Sequence, residues 1–259
     1  MLPSFIGVRC ALRIAHVPKA AVPHGARRMS ATARVRGVLF DLDGTLIDSA
    51  TGIAEALNRT LAELGCAREP EATIRTWIGD GARELLQRAL AHAGRHARDE
   101  AAFAQAHARL MQHYQASLPL QARPFPGAGE LLQRLRAAGI GVALCTNKPE
   151  RFIAPLLDAL GWQAAFDAVA GGDTLPQRKP DPAPLLHCAQ ALGVPHGQCV
   201  MVGDSRTDAD AAHAAGMPLL LVRFGYARGF ALDDAGALAV IDALPQVADA
   251  VGCESARTA

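Results

Sequence analysis

Two aspartates that stand two residues apart, Asp41 and Asp43, are the clearest candidates for chemistry in this sequence. They follow the apolar run at 38–40 and precede Gly44, a pattern typical of a buried strand that ends in a turn. Ligands of open α/β sheets bind beyond the carboxyl ends of strands. Two carboxylates this close repel each other unless a cation lies beside them or they share a proton. The pair therefore indicates a site for a hard cation such as magnesium, with an exposed Asp-Gly turn as the alternative.

Two further polar clusters suggest groups that bind phosphate. Thr146 and Asn147 follow an apolar run, and a hydroxyl, an amide and the N–H groups of the turn could hold phosphate oxygens. Ordinary turn and helix-capping chemistry is the alternative for this pair. Lys179 precedes Pro180 at the predicted start of a helix, where a point cation could neutralise charge on a phosphoryl group. A solvated lysine is the alternative there.

A fourth cluster supplies two more carboxylates. Asp204 follows an apolar run that ends at Gly203, and Asp208 stands four residues later. This spacing places both on one face of an opening helical turn. Acids at a helix start are also favoured by the helix dipole, which is the expected explanation for Asp210.

The elements that position these residues alternate between strand and helix. Apolar runs predict strands at 141–146, 168–171, 199–203 and 218–223, with a weaker one at 239–241. Three-and-four spacing of apolar residues predicts helices at 127–138, 151–160, 181–192 and 205–215. This alternation predicts an α/β fold with a doubly wound, parallel, Rossmann-like sheet.

The connection between the first two strands is much longer than the dozen or so residues that a crossover requires. Its helical patterns, at 49–64, 71–78, 82–93 and 99–117, predict an inserted all-helical cap at 49–121, with a stabilising appendage as the alternative. The core then comprises 35–48 and 122–259. Residues 1–34 are expected to be a disordered extension or the product of an upstream start assignment, with Met29 as the true start.

Composition excludes some classes of partner. The net charge of +1 gives no electrostatic footprint for nucleic acid or for an anionic membrane surface, and no stretch approaches the roughly 20 apolar residues of a membrane span. The 6 cysteines lack Cys-x-x-Cys spacing, which is typical of free thiols in a reducing cytoplasm. We therefore expect a cytoplasmic protein with no nucleic-acid or membrane partner, either a monomer or a homodimer.

The four clusters, in this order and each at a strand end, resemble the haloacid dehalogenase superfamily of phosphotransferases that use an aspartate nucleophile. The resemblance extends over 34–244 and includes the helical insert after the first strand. Within the superfamily, the segments 77–82, 171–176, 179–186 and 224–226 are similar to bacterial phosphoglycolate phosphatases.

The resemblance implies a role for each candidate residue. Asp41 would attack phosphorus and form an aspartyl-phosphate, while Asp43 would protonate the leaving alkoxide and then activate water. The family's magnesium would be bound by the Asp41 side chain, the Asp43 main-chain carbonyl and Asp204, with Asp208 nearby. The phosphoryl group would be bound by Thr146, Asn147 and Lys179. Dehalogenases of the superfamily lack the second acid, so Asp43 favours phosphate esters over carbon–halogen bonds.

The implied substrate is a small phosphorylated metabolite, with 2-phosphoglycolate first. A sugar phosphatase or a sugar phosphomutase of the same superfamily is the alternative, and a non-catalytic binding module is a third. The loop that carries Gly79, Gly81 and Arg83 is expected to select the substrate, because glycines allow close backbone approach and Arg83 could pair with a carboxylate. A simple turn with a solvated Arg83 is the alternative.

Overall fold

The centre of the molecule is a parallel β-sheet with the strand order β3-β2-β1-β4-β5-β6. The computed structural model describes residues 34–95, 99–121 and 123–253. The strands are β1 Gly37–Phe40, β2 Gly141–Cys145, β3 Ala168–Ala170, β4 Cys199–Gly203, β5 Leu219–Val222 and β6 Ala239–Ile241. The predicted α/β class and parallel sheet are confirmed, whereas the predictions for residues 1–33 and 254–259 lie outside the described residues.

Helices connect the strands on both faces of the sheet. The elements between β1 and β2 are α1 Ala50–Glu63, α2 Glu71–Arg75, α3 Ala82–His92, α4 Glu100–Ala116, α5 Leu118–Gln121 and α6 Ala128–Ala137. The later helices are α7 Ile153–Leu160, α8 Ala183–Ala191, α9 Arg206–Ala214 and α10 Pro245–Ala250. In the described residues no helix combines the length and the apolar character that crossing a bilayer requires.

β1 lies between β2 and β4, and its position explains its composition. Gly37 pairs with Gly141 of β2 and with Cys199 of β4, and every residue of β1 is buried. Val38 and Phe40 face one hydrophobic cluster, with α6, α7 and α10, whereas Leu39 faces the other, with α8 and α9. A strand covered on both faces requires apolar side chains throughout, which is why β1 reads as a continuous apolar run.

Helices α1 to α5 form a segment with its own hydrophobic cluster. Leu57 of α1, Leu86 of α3 and Leu110 of α4 are fully buried in it. Tyr114 of α4 stacks on Phe152, which precedes α7, with ring centroids 4.9 Å apart. The segment therefore packs against the loops at the carboxyl ends of the strands, and its treatment as a separate cap domain stays a prediction.

Helix α5 lies where Pro119, Pro124 and Pro126 predict only a linker that returns to the core. A methyl group at Gly52 of α1 would overlap the Gln121 side chain and lie 3.0 Å from the Ser117 carbonyl oxygen. The missing side chain at Gly52 therefore lets the short helix pack directly on α1. Gln121 is fully buried as a result.

Candidate active site

The polar clusters meet at one buried point beyond the carboxyl ends of β1, β2 and β4. Asp41 and Asp43 follow β1, Thr146 follows β2 and Asp204 follows β4. Lys179 reaches the same point from the loop between β3 and α8, and all five residues are buried. Adjacent parallel strands bring their carboxyl ends to one edge, which explains the convergence.

Lys179 connects two of the acids. Its Nζ donates to Asp41 Oδ1 at 2.9 Å and to Asp208 Oδ1 at 2.7 Å, and the residue is 2% exposed. Burial alone would lower the pKa of Lys179, but the Asp208 and Asp41 carboxylates raise it above its ordinary value. Lys179 is therefore a fixed cation beside Asp41.

Three carboxylates form a cluster that suits a divalent cation. Asp41, Asp204 and Asp208 are buried, and each offers an oxygen within 4.8 Å of the others. Burial, opposed by Lys179, raises the pKa of Asp41 to about 6, and burial together with Asp208 and Asp41 raises that of Asp204 well above its ordinary value. The positive charge of Lys179 alone does not balance three carboxylates. The donor set, composed of carboxylate oxygens, fits a hard cation such as Mg²⁺.

Asp204 is enclosed by backbone that comes unusually close. Thr45 Oγ1 donates to Asp204 Oδ1 at 3.0 Å, and the Tyr226 N–H donates to Asp204 Oδ2. A methyl group at Gly44 or at Gly225 would overlap the Asp204 side chain. The two glycines therefore allow the chain to wrap around this carboxylate and fix its orientation.

Asp208 also caps the start of α9. Its Oδ2 accepts from the Ser205 hydroxyl at 2.6 Å and from the backbone N–H groups of Asp204 and Ser205 at 3.2 and 3.1 Å. Together with Ser205 it forms a capping box. Asp208 thus orients the helix start and Lys179 at once. Asp210, expected to be a plain helix-terminal charge, is exposed.

Thr146 and Asn147 lie at the site, but Asn147 makes a contact that its sequence context did not indicate. Its amide nitrogen donates to the carbonyl oxygens of Lys179 at 2.9 Å and Gly79 at 3.1 Å. These two bonds use both amide hydrogens. Asn147 therefore ties the Lys179 loop and the helical segment to the end of β2, while the Thr146 hydroxyl accepts from the Lys148 N–H at 3.3 Å.

Lys148 is a site residue that the sequence did not single out. Its Nζ donates to Asp43 Oδ1 and Oδ2 at 3.0 and 3.2 Å, to the Tyr114 hydroxyl at 2.9 Å and to Gln121 Oε1 at 2.7 Å. The side chain is completely buried. Burial lowers the pKa of Lys148, and the Asp43 carboxylate opposes that shift. A lysine inside the strand-end cluster at 145–149 was the available signal, but its partners lie on distant helices.

The loop between α2 and α3 lies against the end of β2, where Gly79 accepts from Asn147, whereas Arg83 points elsewhere. Gly79 and Gly81 have φ angles of +124° and +94°. Residues other than glycine rarely adopt this backbone conformation. Arg83 pairs with both oxygens of Glu100 at 3.0 Å and stacks over Phe103 at 4.5 Å. Glu100 is thus the carboxylate partner of Arg83 in this structure.

Asp80 in the same loop was not predicted to matter, yet it links the loop to the core. It accepts from the Thr207 hydroxyl, from Arg228 Nη1 at 2.6 Å and from Arg88. Burial would raise the pKa of Asp80, but the hydrogen bonds from Arg228 and Thr207 hold it well below its usual range. A second ion pair between the helical segment and the core joins Glu84 of α3 to Arg178 at 3.2 Å.

Two neighbouring cavities are lined in part by Asn147. The smaller, of about 30 Å³, is lined by Asp43, Lys148, Tyr114 and Asn147 together with apolar residues of α1, α3 and the loop. The larger, of about 970 Å³, shares Gly81, Ala82, Asn147 and Pro149 with it and is also lined by Arg83, His107 and Arg151. The small cavity has about the volume of one water molecule, so it does not hold a substrate as it stands.

Comparison with known proteins gives consistent matches. A phosphoglycolate phosphatase of Rhodospirillum rubrum is 44% identical over 220 residues, which cover 84% of this chain and 91% of the relative. A phosphoglycolate phosphatase of Pseudomonas putida is 46% identical over 210 residues, covering 81% and 77% respectively. A crystal structure from Haemophilus somnus, described as a predicted phosphoglycolate phosphatase, superposes with a TM-score of 0.78 at 30% identity and covers 85% of this chain and 99% of its own.

The match at the level of the family extends over more than half of the chain. The sequence model of haloacid dehalogenase-like hydrolases matches residues 35–216, which include every strand from β1 to β4 and the whole of α9. Asp41, Asp43, Lys179, Asp204 and Asp208 all fall inside this range. The chain therefore belongs to the haloacid dehalogenase-like hydrolases.

Proposed function

We propose that this protein is a magnesium-dependent phosphomonoester hydrolase that converts 2-phosphoglycolate to glycolate and phosphate. The observation that carries the proposal is the buried convergence of Asp41, Asp43, Lys179 and Asp204 beyond β1 and β4. The substrate is proposed because relatives more than 40% identical bear the name phosphoglycolate phosphatase.

Asp41 is the proposed nucleophile. Lys179 holds its Oδ1 at 2.9 Å, which leaves the other oxygen to form the bond to phosphorus. As that bond forms, the bond from phosphorus to the leaving glycolate oxygen breaks, and the product is an aspartyl-phosphate. Lys179 and the Thr146 hydroxyl, both buried, would stabilise the charge on the phosphoryl oxygens.

Asp43 is the proposed acid and base. In its protonated form it gives its proton to the glycolate alkoxide; as a carboxylate it then takes a proton from water, whose oxygen attacks phosphorus and releases Asp41. A group that switches in this way contributes about 10²–10⁴-fold to the rate. The 3.0 Å contact with Lys148 shows that the Asp43 carboxylate has a cationic partner before substrate arrives.

The proposed ligands of the magnesium ion are the side chains of Asp41 and Asp204 and the main-chain carbonyl of Asp43, with Asp208 beside them. When bound, the ion would neutralise charge on the phosphoryl group and on the acids. This chain's part is to hold the carboxylates in place, through Thr45 and the Tyr226 N–H at Asp204 and through Lys179 at Asp41.

A phosphate-release panel tests the substrate. It compares 2-phosphoglycolate, hexose phosphates, nucleoside monophosphates and pyrophosphate, with Asp41→Asn as the inactive control. We expect kcat/KM for 2-phosphoglycolate to exceed that for hexose phosphates at least tenfold, or about 1.4 kcal/mol in transition-state free energy. A preference for a hexose phosphate would support a sugar phosphatase, and an isomeric sugar phosphate among the products would support a mutase.

A cytoplasmic location is part of the proposal. Cys66, Cys145, Cys188, Cys199 and Cys253 are all free thiols. Free thiols are typical of proteins that function in a reducing compartment.

A further inference from the structure

Lys148 carries a buried positive charge that has no role in the phosphoryl chemistry proposed above. We propose that Lys148 binds the carboxylate of the substrate and releases Asp43 in exchange. The inference rests on the proposed function, because it assigns the residue that recognises the non-phosphate end of 2-phosphoglycolate. It makes Lys148 a specificity-determining residue and gives the Lys148–Asp43 contact a role in the reaction.

The first step of the argument is position. The leaving group must lie beside Asp43, because Asp43 protonates its oxygen. The cavity of about 30 Å³ at that place is lined by Asp43, Lys148 and Tyr114 on one side and by apolar residues such as Ile53 and Leu85 on the other. Lys148 Nζ lies 3.0 Å from Asp43 Oδ1. In glycolate the carboxylate carbon is bonded directly to the carbon that carries the leaving oxygen. A leaving group next to Asp43 therefore places its carboxylate within reach of Lys148.

The second step is the hydrogen bonding of the ammonium group. Lys148 has three donors and three partners: Asp43, the Tyr114 hydroxyl at 2.9 Å and Gln121 Oε1 at 2.7 Å. Gln121 is fixed in turn, because its amide nitrogen donates to Ser117 Oγ at 2.9 Å. Tyr114 and Gln121 are neutral, so Asp43 is the partner that balances the charge of Lys148.

The third step is the consequence of removing that partner. To act as an acid, the Asp43 carboxylate must leave Lys148, take up a proton from solvent and turn toward the leaving oxygen, which would leave a fully buried cation with two neutral acceptors. An unpaired buried charge is strongly unfavourable. A substrate carboxylate restores the balance, whereas a neutral group of the same size does not. Selectivity for an anionic leaving group therefore follows from the release of Asp43 itself.

Arg83, the cation that the sequence suggested for this task, is less suited to it. It lines the larger cavity rather than the one beside Asp43, and its guanidinium already pairs with Glu100. Its side chain is 41% exposed, whereas that of Lys148 is fully buried. A solvated cation discriminates weakly between charged and neutral groups.

The test compares 2-phosphoglycolate with its neutral amide, 2-phosphoglycolamide, which has nearly the same size and shape. We expect wild-type protein to favour the acid in kcat/KM by about 100-fold or more, and Lys148→Met to reduce that ratio below about fivefold. Arg83→Ala should keep the ratio. Arg109→Met, which removes a half-exposed cation of α4 that pairs with Glu63 at 3.6 Å, is the matched control and should keep both ratio and rate.

Two outcomes overturn the assignment. The first is a wild-type protein that hydrolyses the acid and the amide equally well, a result that needs no variant and so applies even if Lys148→Met fails to fold. The second is a folded Lys148→Met protein that keeps the wild-type ratio. These results differ from a failure of the proposed function, in which wild-type protein would prefer hexose phosphates to 2-phosphoglycolate.

Discussion

Asp80 and Arg228 join the helical segment to the sheet: Arg228 Nη1 lies 2.6 Å from Asp80 Oδ2, and Nη2 lies 3.2 Å from Oδ1. Asp80 belongs to the loop between α2 and α3, and Arg228 follows β5. The Arg228 side chain is 14% exposed and the Asp80 side chain 21%, so the pair is largely shielded from water. It fixes the loop over the site.

Asp80→Asn should loosen that contact, because the amide keeps the shape and removes the charge. We expect the free energy of unfolding to fall by about 1–3 kcal/mol and KM to rise. Thermal melts and steady-state kinetics would measure both effects. Asp233→Asn is the control, since Asp233 pairs with Arg223 at a site where its side chain is 71% exposed. Equal melting temperatures for the two variants would contradict the account.

Gly225→Ala should disturb the metal site through sterics alone. Gly225 does not have a positive φ, and an added methyl group would overlap the Asp204 side chain and the Gly44 carbonyl oxygen. We expect at least a tenfold weaker apparent affinity for Mg²⁺ and a loss of about 1–3 kcal/mol in stability. Gly197→Ala, where a methyl group meets nothing within 4 Å, should behave as wild type. A Gly225→Ala protein with unchanged Mg²⁺ dependence would count against this arrangement of Asp204.

The strand ends could be predicted because each combines two local signals. At Asp41 and Asp204 an apolar run stops at a carboxylate, and parallel strands bring such ends together regardless of the details of packing. Lys148 also lies in a strand-end cluster, but that position does not indicate its partners. Its partners Tyr114 and Gln121 stand 34 and 27 residues away, and a helical pattern does not reveal which polar side chain faces the site.

The contacts of Asp80 were unpredictable for a similar reason. Thr207, which donates to it, is 127 residues distant in sequence, and the link depends on how the helical segment sits against α9. Helix α5 was missed because prolines near it indicate a linker, whereas Gly52 allows it to pack on α1. Local pattern thus predicted the elements, and tertiary packing decided which polar side chains meet.

His107 should make stability depend on pH near neutrality. Burial, together with the charges of Arg83 and Arg151, lowers the pKa of His107 below its ordinary 6.5. The unfolded chain therefore binds a proton more readily than the folded protein, so stability is lost as the pH falls through about 6.5. In His107→Gln this part of the pH dependence should vanish. Denaturant unfolding between about pH 5.5 and pH 7.5 measures it, and identical pH profiles would refute the prediction.

Mg²⁺ should stabilise the wild-type protein by mass action, by about 2.7 kcal/mol at a hundredfold excess over its dissociation constant. EDTA should abolish both the stabilisation and phosphate release. Asp204→Asn should remove the thermal shift, whereas Asp210→Asn, at an exposed position of α9, should keep it. A shift that survives in Asp204→Asn would place the ion elsewhere.

The central claim is that Asp41 forms a covalent intermediate whose hydrolysis requires Asp43. p-Nitrophenyl phosphate separates the two steps, since its leaving group needs little help from an acid. Asp43→Asn should therefore release a rapid burst of nitrophenolate, approaching one equivalent per active site, followed by slow turnover, and Asp41→Asn should release none. Stopped-flow absorbance measures the burst directly. Slow, linear release from Asp43→Asn with no burst, or a burst that persists in Asp41→Asn, would contradict the mechanism.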